Sequence, residues 1–185
     1  LFREKDNNGI YVADGCAAKL DPTLNESSLD HAADRFRYVY ETYLKDTDAK
    51  VYLSIIPDKN YFLAAENGYP ALDYERLFAY MREKTDYAQY IDLTGALSLS
   101  SYYRTDTHWR QEELLPAAKL LADAMDTEIA EDFTSVTLGT PFSGVYRGQS
   151  ALPMQPDTLS YLTNDILEGC RVYDYESDAY LPVYT

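Results

Sequence analysis

Basic residues, histidine, tryptophan, cysteine and long apolar runs are all scarce in this 185-residue chain. Lys and Arg total 16 against 31 Asp and Glu, a formal net charge of −15. Such a chain repels phosphate backbones, which argues against a general nucleic-acid partner. The same charge disfavours an anionic membrane surface. No run reaches the roughly 18 apolar residues that a spanning helix needs. The longest apolar cluster, Val51 to Pro57, is the size of a strand. The two cysteines, Cys16 and Cys170, and the two histidines, His31 and His108, stand at unrelated spacings that make no zinc site. The cysteines pair in an oxidising compartment or stay free.

Tyrosine is abundant instead, with 19 residues against one Trp and six Phe. A tyrosine fills core with its ring and keeps its hydroxyl wet, so most of these are expected to be half-buried structural residues. Sugar-binding clefts also favour such rings. With 46% apolar and 25% charged residues the composition is that of one globular domain rather than a disordered chain. The chain opens on Leu1-Phe2-Arg3 and closes on Val183-Tyr184-Thr185, without a leader pattern. A piece of a longer protein is expected, so a missing signal or anchor says nothing of location.

Asn7 to Gly15 predicts a turn, a short strand and a second turn. Ser27 or Ser28 is the expected cap of a helix carrying Leu29, Ala33, Phe36, Tyr40 and Leu44 on one face, to about Lys45. Lys50 to Ile56 predicts a buried strand. Asp73 caps a second helix to Lys84, with Leu77, Phe78 and Met81 inward. Tyr90 to Leu93 is a short strand, and Ser100 to Arg104 an extended or irregular piece. The third helix carries Leu114 to Met125, and Pro116 requires that it kink or start late. The strand–helix–strand order places residues 50–56 and 88–93 side by side and parallel, joined by a right-handed crossover. The alternation as a whole argues α/β with a mostly parallel sheet. Beyond about Glu131 the texture turns to short β pieces: Phe133–Leu138, Val172–Tyr175 and Ala179–Tyr184, with a Gly-, Pro- and Ser-rich stretch over Gly139–Pro156.

One constellation carries chemistry. Tyr102-Tyr103-Arg104-Thr105-Asp106-Thr107-His108-Trp109 contains an Asp-x-His-Trp motif, expected where an extended segment hands over to a helix. Across a tight turn the Asp106 carboxylate can fix the tautomer of His108 and stabilise its imidazolium. The other ring nitrogen is then a general base. Trp109 is a candidate pocket wall. The competing reading is that Asp106 caps the helix while His108 and Trp109 pack on the core. His31, among charged residues of the first helix, is read as a surface residue.

Asp106-Thr107-His108-Trp109 resembles the signature of the DHHW family, bacterial proteins grouped with the SGNH hydrolase-like folds and related to alginate O-acetyltransferase-like proteins. The likeness extends to Asn8-Gly9-Ile10-Tyr11, to the proline-bearing strand end Ile56-Pro57-Asp58-Lys59, to Tyr90-Ile91-Asp92-Leu93, and to the approach Tyr102-Tyr103-Arg104-Thr105. It covers about residues 7 to 130, with weaker support through Tyr161. Thr107 departs from the pattern, which has a first histidine there.

The resemblance implies an SGNH hydrolase-like, flavodoxin-like α/β fold, a mostly parallel sheet flanked by helices. Residues 1–130 would carry the motif, residues 131–185 would be a β-rich extension of the same domain, and the domain would be incomplete. It implies His108 as catalytic base and Asp106 as its partner, with Trp109, Tyr103 and Arg104 against substrate. In such relatives the nucleophilic serine follows in a Gly-Asp-Ser or Asp-Ser block. No such block is present here: Ser143 and Ser150 lack a nucleophile-elbow context, and Ser177-Asp178 runs in reverse. The expectation is a serine esterase or O-acyltransferase of a cell-envelope or exported polysaccharide, extracellular or envelope-located. It needs no metal or cofactor. Its nucleophile would lie beyond Thr185, so this chain alone would be inactive. The alternative is a non-catalytic carbohydrate or cell-surface binding module.

Overall fold

A computed structural model of the chain describes residues 5, 6, 8–130, 132–150 and 153–184. Asn7, the first residue of the expected opening turn, and Glu131, where the texture changes, lie outside these residues.

The chain opens on a hairpin, β1 (Ile10–Ala13) against β2 (Cys16–Lys19), joined by Asp14 and Gly15. Both turn residues have positive φ, 48° and 74°, as the right-handed twist of a two-residue hairpin demands. Helix α1 (Glu26–Val39) follows, capped by Asn25, whose side chain accepts from Ser28 N–H at 3.1 Å. The cap is therefore Asn25 rather than either serine. At Tyr40–Leu44 the helix widens into a π turn. The apolar stripe leaves the core there: Ala33 is buried, but Phe36, Val39 and Tyr43 are exposed.

Strand β3 (Tyr52–Leu53), the short helix α2 (Asn60–Leu63), helix α3 (Tyr74–Lys84) and strand β4 (Gln89–Tyr90) complete the first half. Asp73 caps α3, accepting from Arg76 N–H at 3.0 Å, and Phe78 and Met81 face the core. β3 and β4 are parallel neighbours, Tyr52 opposite Gln89 and Leu53 opposite Tyr90. Three 3₁₀ turns lead to helix α4 (Leu115–Ala124), which starts late, with Pro116 in its first turn where its missing N–H is harmless. Then come β5 (Thr134–Phe142), α5 (Val145–Gln149), β6 (Asp157–Thr163), α6 (Asp165–Gly169), β7 (Arg171–Asp174) and β8 (Ala179–Pro182). The Gly-, Pro- and Ser-rich stretch Gly139–Pro156 thus holds the end of β5 and all of α5.

The mostly parallel sheet is corrected. Among the described residues there are four two-stranded sheets, and only β3–β4 is parallel. The segment Lys50–Ile56 contributes two ladder residues; residues 51–55 are half-buried and Lys50 and Ile56 exposed, where the sequence predicts a buried strand. The reason lies in the connections. A parallel pair needs a crossover of a dozen residues or more, and the α2–α3 connection supplies it for β3 and β4. β1–β2 and β7–β8 are joined by turns too short for anything but antiparallel pairing, and β5 returns to β6 antiparallel after α5. The fold is mixed α/β with small sheets.

Two apolar clusters hold it. Tyr11, Cys16, Ala18 and Leu63 form one, with the Tyr11 ring stacked 3.9 Å from Tyr69. Ile91, Leu93, Leu97 and Ala117 form the other, with Phe62 and Trp109 packed against it. Cys16 is buried, Cys170 is exposed, and both are free thiols. No helix among the described residues is long and apolar enough to cross a membrane.

Candidate active site

The motif does not sit at a strand-to-helix handover. Residues 102–109 fold back on themselves. Tyr102 bridges Trp109, Tyr103 N–H donates to His108 O at 3.1 Å, and Arg110 N–H to Ser101 O at 2.7 Å. A 3₁₀ turn, Gln111–Glu113, intervenes before α4, whose N-cap is Leu114 without a side-chain cap. Asp106 therefore does not cap α4; its carboxylate reaches the first N–H of α5 instead. The loop is closed by its own ladder, and Asp106 turns inward at its tip.

Asp106 is buried and fully engaged. Its Oδ1 accepts from His108 N–H at 3.0 Å and meets His108 Nδ1 at 2.6 Å, while Oδ2 accepts from Val145 N–H at 2.8 Å. Burial pushes the carboxyl up. The Val145 and His108 N–H bonds and the imidazole outweigh that and hold it below the ordinary aspartate value. Asp106 is thus ionised at neutral pH, an acceptor only, so the proton between the two side chains belongs to Nδ1. That leaves Nε2 as the lone-pair nitrogen on a side chain that is 75% exposed.

Three further residues, Thr105, Asp157 and Gly144, hold this arrangement. Thr105 is fully buried; its hydroxyl donates to Asp157 Oδ2 at 2.5 Å and accepts from Gly144 N–H at 2.9 Å. Asp157, the first residue of β6, also accepts from the backbone N–H of Arg104 at 2.9 Å and of Thr105 at 2.7 Å. Gly144 lies so close that a Cβ there would stand 2.4 Å from Asp106 Cβ and 2.6 Å from its Oδ2. The segment 131–185 therefore supplies part of the frame of the motif. Its far end is anchored as well, where Leu162 N–H donates to Gln111 Oε1 and Tyr184 OH to Leu162 O at 3.0 Å. Sequence reasoning missed Asp157 because nothing marks an aspartate after Pro156. Nothing marks Gly144, the residue after Ser143, as part of a site either.

The remaining candidates separate. Trp109 packs on the Ile91–Leu97 cluster. Tyr103 is buried, its ring edge-on to Phe142 at 5.3 Å. Arg104 is half-exposed, with Nε 3.4 Å from Asp157 Oδ1 and Nη2 3.2 Å from Pro156 O. It lines a cavity of about 550 Å³ together with Ser100, Tyr102, Arg110, Asp157 and Thr158. Ser143 is exposed, and its Oγ accepts from Arg147 Nη1 at 2.6 Å. The Ser150 hydroxyl is buried, without a hydrogen-bond partner among the described residues. Among the described residues neither serine bonds His108. His31 is exposed on α1.

No protein-family model and no curated protein matches the sequence. Solved structures do match. A DHHW family protein from Eubacterium siraeum superposes with a TM-score of 0.68 at 19% identity, over 87% of this chain and 56% of that one. The O-acetyltransferase domain of Pseudomonas putida AlgJ gives 0.62 at 21% identity, over 84% of this chain and 64% of that one. Bacillus cereus PatB1 gives 0.61 at 14% identity, over 85% and 59%. The chain shares its fold with these proteins and spans 56–64% of their length. The suspected likeness to DHHW and O-acetyltransferase-like proteins thus holds at the level of fold.

Proposed function

We propose that the chain is the base-bearing part of a serine-dependent O-acyltransferase or esterase that acts on a cell-envelope or exported polysaccharide, outside the cytoplasm. The observation that carries this reading is the 2.6 Å contact between the buried Asp106 carboxylate and the exposed His108 imidazole. The likeness in fold to an O-acetyltransferase domain supports it. In the reaction, Nε2 of His108 takes the proton of a serine hydroxyl as that oxygen attacks the acyl carbon. Asp106 stabilises the resulting imidazolium through Nδ1–H. His108 then returns the proton to the departing alcohol. The serine and the oxyanion donors come, on this reading, from a segment outside this sequence. Substrate would enter past Arg104 and the adjoining cavity. Tyr103, buried, and Trp109, half-buried against the Ile91–Leu97 cluster, fit a second role, shaping the loop.

The test is hydrolysis of 4-nitrophenyl acetate by the 185-residue chain and by its full-length parent. The expected result is silence in the short chain and turnover in the parent that His108→Ala removes. Parent turnover indifferent to His108→Ala would refute the assignment. Turnover in the short chain that vanishes with His108→Ala would place the nucleophile within these residues, with Ser143 the first to substitute.

One observation favours a glycan-binding role beside or instead of catalysis. On the β7–β8 hairpin Tyr175 and Tyr180 are 87% and 72% exposed, and their rings lie 4.8 and 5.1 Å from that of Tyr173. Exposed rings grouped on a rigid hairpin suit stacking on sugar faces. Retention on a polysaccharide matrix that falls in a Tyr175→Ala/Tyr180→Ala double variant would support it.

A further inference from the structure

Lys59 carries a buried charge that the proposed reaction does not use. It precedes α2 in Pro57-Asp58-Lys59 and is 2% exposed. Lysine is almost never so buried unless its charge is paired. Here the ammonium donates to two backbone carbonyls, Tyr103 O at 2.8 Å and Arg104 O at 3.3 Å, and lies 5.1 Å over the Tyr146 ring of α5. Arg104 O also accepts from Ala17 N–H of β2 at 2.8 Å. The carbonyl side of residues 103–104 is thus held by Lys59 and β2. The N–H side of residues 104–105 is held by Asp157 of β6. Asp106 follows directly.

We propose that Lys59 is a positioning residue for the Asp106–His108 pair: with Asp157 it grips the peptide units of residues 103–105 from opposite sides and so fixes how Asp106 meets the imidazole. The inference rests on reading that pair as a catalytic base, but it concerns the geometry of the pair and is tested without turnover. The titratable groups acting on Lys59 are Cys16 of β2, Asp157 of β6, Asp106 of the motif loop, and its neighbour Asp58; Tyr146 of α5 presents its ring. Burial pushes the ammonium down to about 8 against the pull of these groups.

Lys59→Met keeps the aliphatic stem and removes the charge. The measurement is the imidazole titration of His108 by NMR, with exposed His31 as internal reference. The expected result is that His108 binds its proton on the order of tenfold more weakly, because the loosened loop withdraws the carboxylate that stabilises the imidazolium, while His31 does not move. Two results would overturn the proposal. An unchanged His108 titration with a lowered Tm assigns Lys59 to stability alone. A strengthened proton affinity means the ammonium acts only through its field, since removing a positive charge favours the imidazolium. Should Lys59→Met fail to fold, the chain with Cys16→Ser answers instead, that substitution removing the thiol as a source of signal. The amides of Arg104, Thr105 and Asp106 should then show a titration step near pH 8, and its absence overturns the proposal. These titrations are read from the short chain, so silence of the ester assay leaves them standing.

Discussion

Gly144→Ala isolates the packing of the catalytic pair from its chemistry. The backbone at Gly144 has φ −75° and ψ −179°, which alanine adopts freely, so the substitution acts by contact alone. The added Cβ would stand 2.4 Å from Asp106 Cβ, 2.6 Å from Asp106 Oδ2 and 2.6 Å from Thr105 O. Ordinary contact begins near 3.4 Å, so the two segments must part by about 1 Å (3.4 − 2.4). That opening stretches Val145 N–H to Asp106 Oδ2 from 2.8 Å, and Gly144 N–H to Thr105 Oγ1 from 2.9 Å, beyond hydrogen-bond reach. A bond to a charged acceptor contributes about 1.5–3 kcal/mol and a neutral one about 0.5–1.5, so the loss sums to roughly 2–4.5 kcal/mol. For a domain of this size that lowers Tm by about 4–18 °C. Urea unfolding followed by circular dichroism gives the free energy, and carbonyl NMR of Asp106 gives its titration, which should move upward as the Val145 donor is lost. Gly139→Ala is the control, since a Cβ there meets nothing within 4 Å. A Gly144→Ala chain within about 0.5 kcal/mol of the parent sequence, with Asp106 titrating as before, would refute the close-approach argument.

Asp106 makes the pair sensitive to acid in a stated direction. Its folded carboxyl titrates below the ordinary value, so its stabilising contribution is complete above the unfolded value of about 3.9 and is lost as pH falls through the folded one. Asp106→Asn should flatten the acid limb of stability below about pH 4 and weaken proton binding at His108; an unchanged acid limb in urea melts would contradict this. Thr105→Val keeps the volume of a fully buried side chain but leaves Asp157 Oδ2 and Gly144 N–H each short of a partner, so a loss of roughly 2–4 kcal/mol is expected, with Thr105→Ser largely restoring it. Equal stabilities for the valine and serine variants would show that the hydroxyl bridge contributes nothing.

Local chemistry made several elements legible from residues alone. Asp14-Gly15 reads as a turn, Asp73 as a cap, and Pro116 as the point where a helix kinks or starts, since each follows from one residue's backbone or side-chain geometry. The short spacing of Asp106 and His108 likewise puts the two side chains within reach of each other across one tight turn, and they meet at 2.6 Å. What lay beyond reach depended on partners distant in sequence. The length of the β3 ladder depends on which strands stand beside it, and the apolar run Val51–Ile56 is silent on that. The ends of the motif loop are joined to each other, so it is a closed loop and not the mouth of a helix. The frame of the site joins Lys59, Gly144 and Asp157, drawn from positions 59 to 157. Each is ordinary in its own neighbourhood. Their roles arise only because folding brings a carboxylate, an ammonium and a missing Cβ against the same three peptide units, where burial makes every unpaired polar group expensive.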